Sequence, residues 1–203
     1  MNYKNSVKNL IRLINANFTD ADIWGTFTYE PKKLPRTIEE AQAEMQKFIR
    51  RLKYYAARHG LPPLKYVYVT QFGTEGKRVH HHIVINFPDR DIAEKMWRNG
   101  ARTHTRRLQA DESGYEGLTR YIAKHPQGLK RYVTSKNLTK PQIYIADHKF
   151  TRRMVNKIAH GQINAVTVFE NIYKNYNFVD YRCYTSEYVS GAYLYIKMLR
   201  RKQ

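Results

Sequence analysis

A histidine triplet at positions 80–82 runs directly into the apolar segment Ile-Val-Ile at 83–85. A β-branched apolar run is typical of a buried strand, and it predicts that the histidines belong to the same strand. Side chains alternate between the two faces of a strand, so His80 and His82 point one way and His81 points the other. Two imidazoles on one face can share a divalent metal ion. The plain alternative is a histidine cluster at the surface or at the edge of the core.

The charge balance is strongly basic. The 203 residues include 36 lysines and arginines against 17 aspartates and glutamates, a formal net charge of +19 at pH 7. Such a chain is expected to bind a polyanion, most simply a nucleic acid. The chain also has seventeen tyrosines, eight phenylalanines and two tryptophans. Aromatic rings among cations suit single strands, whose bases stack on rings, although most of these rings are expected in the core.

The composition also excludes several classes of protein. A single cysteine, Cys183, allows neither an internal disulfide nor a cysteine-rich zinc site, which fits a reducing cytoplasm. No apolar run approaches the length of a membrane span. The first 17 residues lack the layout of a signal peptide, and Val7, Leu10, Ile11 and Ile14 are spaced as one face of a helix.

Hydrophobic periodicity predicts alternating strands and helices after this first helix. Strands are expected at 23–29, 66–72, 79–87 and 101–108, and helices at 37–59, 91–99 and 115–125. Thr37 is the predicted N-cap of the long helix, and Glu40 completes a capping box. This order predicts an α+β fold in which helices pack on one face of an antiparallel sheet.

We divide the chain into an N-terminal helix at 1–22, a core at 23–145 and a C-terminal extension at 146–203. The extension is expected to pack on the same body as the core. Within it, the pattern predicts a helix at 150–160 and a strand at 178–184.

The hairpin formed by the strands at 66–72 and 79–87 supplies a third candidate metal ligand. Gln71 lies at the end of the first strand, where register places it close to the histidines, and Glu75 lies in the turn. Glu75 has the better charge and Gln71 the better position, so both stay open. Two imidazoles with an amide or carboxylate oxygen suit Mn²⁺ or Mg²⁺.

A second motif is Tyr121-x-x-Lys124 in the helix predicted at 115–125. Residues three apart share a helix face, so the hydroxyl and the ammonium would lie side by side. A tyrosine hydroxyl is a poor nucleophile at neutral pH, but a metal-held phosphate and a neighbouring lysine would ease its attack. Alone, the pair is common, and an amphipathic helix with a tyrosine packed on the core explains it equally well.

These motifs, in this order, resemble the HUH endonuclease superfamily. The first strand motif of that superfamily is similar to the segment Thr26-Phe27-Thr28-Tyr29. The histidine pair and then Tyr121-x-x-Lys124 follow it in the same order as in the superfamily. More narrowly, the layout resembles single-tyrosine rolling-circle replication initiators of phages, plasmids and prophages. The segment 135–141 is also similar to one that follows the catalytic helix in such proteins, so the resemblance covers about residues 23–141.

The resemblance implies a ferredoxin-like or RRM-like fold and a role for each matching residue. His80 and His82 would be metal ligands, Tyr121 the nucleophile, and Lys124 a group that steadies the phosphate or the metal-bound geometry. Gln71 falls where many relatives have a glutamate ligand, which leaves the third ligand uncertain. A second tyrosine, Tyr115, lies six residues before Tyr121 and so does not share its helix face, which favours a one-tyrosine enzyme.

The resemblance also implies a reaction. Single-stranded DNA or a melted origin hairpin would be nicked by the tyrosine, giving a 5′-phosphotyrosine link and a free 3′-OH, and the reverse reaction would join ends. No P-loop is present, because the sequence around the turn at 73–78 lacks its spacing, so a host helicase and polymerase would be recruited in the cytoplasm of a bacterial host.

Two other functions fit the same sequence. A single-tyrosine transposase of the same superfamily would share the site and act at the ends of a mobile element. A non-catalytic protein could instead use the α+β sheet and the positive charge to coat single-stranded nucleic acid.

Overall fold

The computed structural model describes residues 3–72, 78–100, 103–124, 131–141, 148–185 and 192–201. The chain forms two compact units, Met1–Pro141 and Gln142–Gln203. This boundary lies close to the start of the predicted extension, whose packing on the core stays a prediction. In the described part of the chain, no helix combines the length and apolar character needed to span a membrane.

A five-stranded antiparallel sheet forms the centre of the first unit. Its strands are β1 Ile23–Thr28, β2 Tyr66–Gln71, β3 His80–Ile85, β4 Thr103–Arg107 and β5 Val133–Thr134. They stand side by side in the order β4-β1-β3-β2-β5, so the histidine strand β3 is central. The predicted α+β fold and its four strands are confirmed, and the two-residue β5 is an addition that the sequence pattern did not predict.

Four helices pack on both faces of this sheet: α1 Tyr3–Asn17, α2 Ile38–Arg58, α3 Arg90–Met96 and α4 Glu116–Ile122. α2 and α3 bury apolar side chains against the face that carries Phe27 and Ile83. α1 and α4 cover part of the other face, where Val67 and Val84 lie. The prediction of helices on one face is therefore wrong. β2 and β3 have buried residues on both faces, and such strands need cover on both sides.

The ends of the long helix α2 follow from local chemistry. A single 3-10 turn, Pro31–Lys33, precedes it. The backbone N–H of Glu40 donates to the Thr37 hydroxyl at 3.2 Å, as the capping box predicts. The Glu40 carboxylate accepts from the backbone N–H of Arg36 at 2.7 Å, one residue earlier than in the standard box. At the other end, Gly60 has a positive φ of 64°, which ends the helix where predicted.

His81 is buried on the α2 side of the sheet and belongs to the core. Its Nε2 shares a hydrogen bond with the Tyr29 hydroxyl at 2.7 Å, and its Nδ1 shares one with the Thr70 hydroxyl at 3.0 Å. A neutral imidazole has one N–H and one acceptor nitrogen, so both ring nitrogens are satisfied. Burial lowers the pKa of His81 to about 3, which keeps the ring neutral. The prediction that His81 faces away from its two neighbours is confirmed.

The second unit is a long hairpin that packs one face on two short helices. Its elements are α5 Arg152–Ala159, α6 Ala165–Ile172, β6 Tyr176–Thr185 and β7 Ala192–Arg200. Phe169 is fully buried in the unit's apolar cluster, with Ile158 and Ala165. The predicted helix and strand correspond to α5 and β6, whereas α6 and β7 were not predicted.

Replacing Tyr29 with Phe tests the polar contact inside the core. We expect the free energy of unfolding to fall by about 1–3 kcal/mol, because a buried nitrogen of His81 loses its partner. Chemical denaturation of the purified protein measures the change. Tyr121→Phe, at a ring that is 56% exposed, is the matched control and should change the value by less than about 0.5 kcal/mol. Equal effects of the two variants would contradict this role of Tyr29.

Candidate active site

Antiparallel register gathers the candidate residues into adjacent rows on one face of the sheet. Thr26 of β1 lies opposite His82 of β3, and Gln71 of β2 lies opposite His80. The rings of His80 and His82 have their centroids 4.9 Å apart, edge to face. The sequence predicted this shared face, and the structure places the two imidazoles side by side on it.

Hydrogen bonds indicate which ring nitrogens can bind a metal. Nδ1 of His80 donates to the backbone carbonyl of Arg78 at 3.0 Å, because a carbonyl only accepts, and Nε2 is therefore the ring nitrogen left for a metal. Nδ1 of His82 lies 3.0 Å from the Thr26 hydroxyl, which can accept its proton in the same way. Partners on the second nitrogen are what orient metal-binding histidines in proteins.

The surroundings of His82 keep it neutral. Its side chain is buried, and burial together with the charge of His80 lowers the pKa of His82 to about 4. A histidine binds a metal only in its unprotonated form, so this ring is ready to bind at neutral pH without losing a proton first.

The Gln71 side chain lies beside the histidine strand and also forms hydrogen bonds to the end of α4. Its side-chain Nε2 donates to the carbonyl of Ile122, at 3.0 Å, and also to the carbonyl of Lys124. Both partners are acceptors, so the amide nitrogen must face them and Oε1 is the atom left for a metal. Gln71 therefore ties the end of α4 to the strand beside the histidines, a contact that the sequence did not predict.

Tyr121 projects from α4 over the histidine face. Its ring centroid lies 5.3 Å from that of His82 and 6.3 Å from that of Trp24, both edge to face. The ring is nevertheless 56% exposed, so a large molecule can reach its hydroxyl. Trp24 was missed by the sequence reasoning. The available signal was its position two residues before Thr26, which puts both side chains on one face of β1.

The end of α4 corrects the predicted helix bound, whereas the place of the Lys124 side chain beside Tyr121 stays a prediction. The helix was expected to run to residue 125, with Lys124 on the same helical face as Tyr121, but α4 ends at Ile122. Lys124 is exposed just beyond the helix, and its backbone N–H donates to the carbonyl of Tyr121 at 3.3 Å. The Gln71 amide satisfies two carbonyls at this helix end, those of Ile122 and Lys124.

Tyr115, the other tyrosine of this region, is a buried residue of the core. It is 2% exposed, and its hydroxyl donates to the Asp20 carboxylate at 2.8 Å. Burial and this carboxylate raise the pKa of Tyr115. Of the two tyrosines, only Tyr121 is open to solvent.

The donor set is compatible with a divalent metal ion. Among the described residues, no three side chains of histidine, cysteine, aspartate or glutamate are grouped as a metal site. The candidate ligands are thus the imidazoles of His80 and His82 and the amide oxygen of Gln71. Imidazole and amide oxygen together suit Mn²⁺. Glu75, the alternative third ligand, lies outside the described residues.

Fold and site together define a class of protein. A central antiparallel strand that carries a histidine pair, beside a helix that presents an exposed tyrosine, is the arrangement expected of the HUH superfamily. The family model for Replication-associated protein ORF2 matches residues 22–126, just over half of the 203 residues, and the chain belongs to this family. No curated protein and no solved structure gives a significant match. The predicted kinship with rolling-circle replication initiators is confirmed.

Replacing Gln71 with Glu tests whether the side-chain amide holds the end of α4, because it removes the N–H donor and keeps oxygen atoms. A carboxylate keeps ligand oxygens but cannot donate to the carbonyls of Ile122 and Lys124, so we expect the free energy of unfolding to fall by about 1–3 kcal/mol without metal. Amide hydrogens at the end of α4 should exchange faster. Gln46→Glu, at an exposed position of α2, is the control. Unchanged stability and exchange in Gln71→Glu would show that the amide does not hold α4.

Proposed function

We propose that this protein initiates replication by nicking single-stranded DNA, with Tyr121 as the nucleophile. The observation that carries the proposal is the placement of an exposed tyrosine ring 5.3 Å from a neutral, buried histidine on the central strand. Family membership supports the role in replication. The net charge of +19 supports a nucleic-acid substrate.

The chemistry is a transfer of a phosphoryl group from the DNA to the protein. The Tyr121 hydroxyl oxygen forms a bond to the phosphorus of the scissile phosphodiester, and the bond from phosphorus to the 3′ oxygen breaks. The products are a 5′-phosphotyrosine and a 3′-OH, and the proton lost by the tyrosine balances the one gained by the leaving oxygen. Attack by the 3′-OH of another strand reverses the step and joins ends.

The residues around Tyr121 have separate tasks in this proposal. Lys124 follows the helix end directly, and its ammonium offsets charge on the scissile phosphate. Trp24 packs edge-on against the tyrosine and restricts its ring. Gln71 holds the end of α4 and so fixes the backbone that carries Tyr121 relative to the histidines.

We assign the metal site to Nε2 of His80, Nε2 of His82 and Oε1 of Gln71, with Glu75 as the alternative third ligand. When bound there, Mn²⁺ or Mg²⁺ supplies Lewis-acid charge to the oxygens of the scissile phosphate. The DNA partner is single-stranded DNA or an origin hairpin. A host helicase unwinds the duplex and a host polymerase extends the 3′-OH in the cytoplasm of a bacterial host.

The nucleophile is tested by capturing the covalent adduct. Purified protein is incubated with Mn²⁺ and a labelled pool of single-stranded oligonucleotides of random sequence, and a denaturing gel reveals protein joined to DNA. We expect an adduct with the native protein and with Tyr54→Phe, an exposed tyrosine of α2, but none with Tyr121→Phe. An adduct that persists in Tyr121→Phe would refute this nucleophile. Tight binding without adduct, with several metals, would favour a protein that only coats single strands.

The metal site is tested by replacing both His80 and His82 with Ala. We expect adduct formation to be lost while single-stranded DNA still binds at low salt, because the cations that neutralise phosphates remain. His104→Ala is the matched control, since His104 is exposed and lies opposite Thr26 on the neighbouring strand. Calorimetric titration with Mn²⁺ should show binding to the native protein and to the control. Full adduct formation in the double variant would exclude this site.

A further inference from the structure

The outer face of the hairpin in the second unit has an unusual composition. Antiparallel register places Tyr184 directly opposite Tyr193, Arg182 opposite Tyr195 and Asp180 opposite Lys197. Opposite residues of an antiparallel pair point to the same face, so these three pairs form successive rows on one surface. We call these six residues the tyrosine face.

The tyrosine face is not the face that packs on the helices. The other face of the hairpin supplies Phe178, Tyr181, Leu194, Ile196 and Met198 to the apolar cluster around Phe169. A β-bulge between Phe178 and Asp180 shifts the alternation, and it brings Tyr181 to the inner side and Arg182 to the outer side. The core of this unit is therefore complete without the outer tyrosines.

Two rings of the tyrosine face are widely open to solvent. Tyr184 is 52% exposed and Tyr193 is 57% exposed. Directly opposite residues have Cβ atoms about 5 Å apart, so the two rings project from neighbouring positions on the same surface. A solvent-facing strand position needs only a polar side chain, whereas a pair of rings offers two platforms on which planar groups can stack.

Two cations, Arg182 and Lys197, follow these rings in the next rows along the hairpin. The Arg182 side chain is 68% exposed, and its only described ion pair is a contact of 3.9 Å between Nε and Asp180. An exposed pair at that distance contributes little and yields readily to a phosphate. Lys197 lies in the next row. The whole unit has ten lysines and arginines against four aspartates and glutamates, a net charge of +6.

We propose that the tyrosine face binds single-stranded nucleic acid as a second site, apart from the histidine and tyrosine site of the first unit. Tyr184 and Tyr193 stack on unpaired bases, and Arg182 and Lys197 neutralise the flanking phosphates. A duplex keeps its bases stacked on one another and leaves such rings unused, so the single strand is the form that fits. The proposal needs no chemistry at Tyr121 and stands or falls independently of the proposed nicking.

Two surfaces on one chain have a consequence for affinity. A DNA strand long enough to reach both surfaces can bind the second surface while the first one holds it. Its effective concentration at the second surface is then high. A strand that fills only one surface gains nothing from the other. The contribution of the tyrosine face should therefore depend on the length of the strand.

The rings are tested in the full chain with Tyr184→Thr and Tyr193→Thr combined. Threonine keeps a high β-propensity and removes the ring. Fluorescence anisotropy in EDTA, where no metal-dependent nicking can occur, measures binding of labelled oligothymidylates. We expect the double variant to bind a strand of about 40 nucleotides at least about fivefold more weakly, the loss of one base stack. The Tyr184→Phe and Tyr193→Phe double variant should keep native affinity, as should the exposed-ring control Tyr54→Ala.

The cations are tested with Arg182→Gln and Lys197→Gln combined. Each neutralised phosphate adds about −0.7 to the slope of log affinity against log salt for single strands, so this variant should flatten the slope by up to about 1.4. The threonine variant should weaken binding at an unchanged slope. Comparing the two variants separates the contribution of base stacking from that of charge. The test therefore does not rest on the threonine variant alone.

Native affinity and native salt slope in both variants, with thermal unfolding unchanged, would overturn the proposal. A change in sedimentation with native affinity for DNA would overturn it too, because the face would then be an interface between copies of this chain. Loss of adduct formation in Tyr121→Phe bears only on the site of the first unit, so the two proposals fail separately.

Discussion

The register of the central strand is the constraint on which the candidate site depends. β3 lies between β1 and β2, and its alternation divides the histidine triplet between two faces. His81 enters the core and is satisfied there by two hydroxyls. His80 and His82 stay on the opposite face, next to Gln71 and Thr26. A slip of one residue would exchange these faces and would bury the pair in the core.

A second contact joins this strand pair to the helix that carries the tyrosine. The amide of Gln71 bonds to backbone carbonyls at the end of α4, so the position of Tyr121 over His82 is fixed by hydrogen bonds as well as by packing. A glutamate carboxylate could not make these bonds, because it has no N–H to donate. The amide therefore has a task at this position, holding the end of the helix, that a carboxylate could not perform.

Local sequence signals predicted some elements well and others badly. The capped helix α2 was predicted because Thr37, Glu40 and Gly60 act through bonds and angles within a few residues. α6 was missed because its valines and threonine favour a strand, while Asn164 caps it as a helix and Phe169 fixes it in the core. Tertiary packing commonly overrides so weak a preference.

The sequence by itself determined the parts of this protein that depend on alternation and charge. It paired His80 with His82, set His81 apart, placed Gln71 beside them and indicated a nucleic-acid partner. Only the tertiary structure decided that helices cover both faces of the sheet, that Trp24 packs against Tyr121, and that α4 ends at Ile122. The physical reason is distance along the chain: strand periodicity is a local property, whereas these contacts join residues about 50 to 100 positions apart, and no local pattern encodes them.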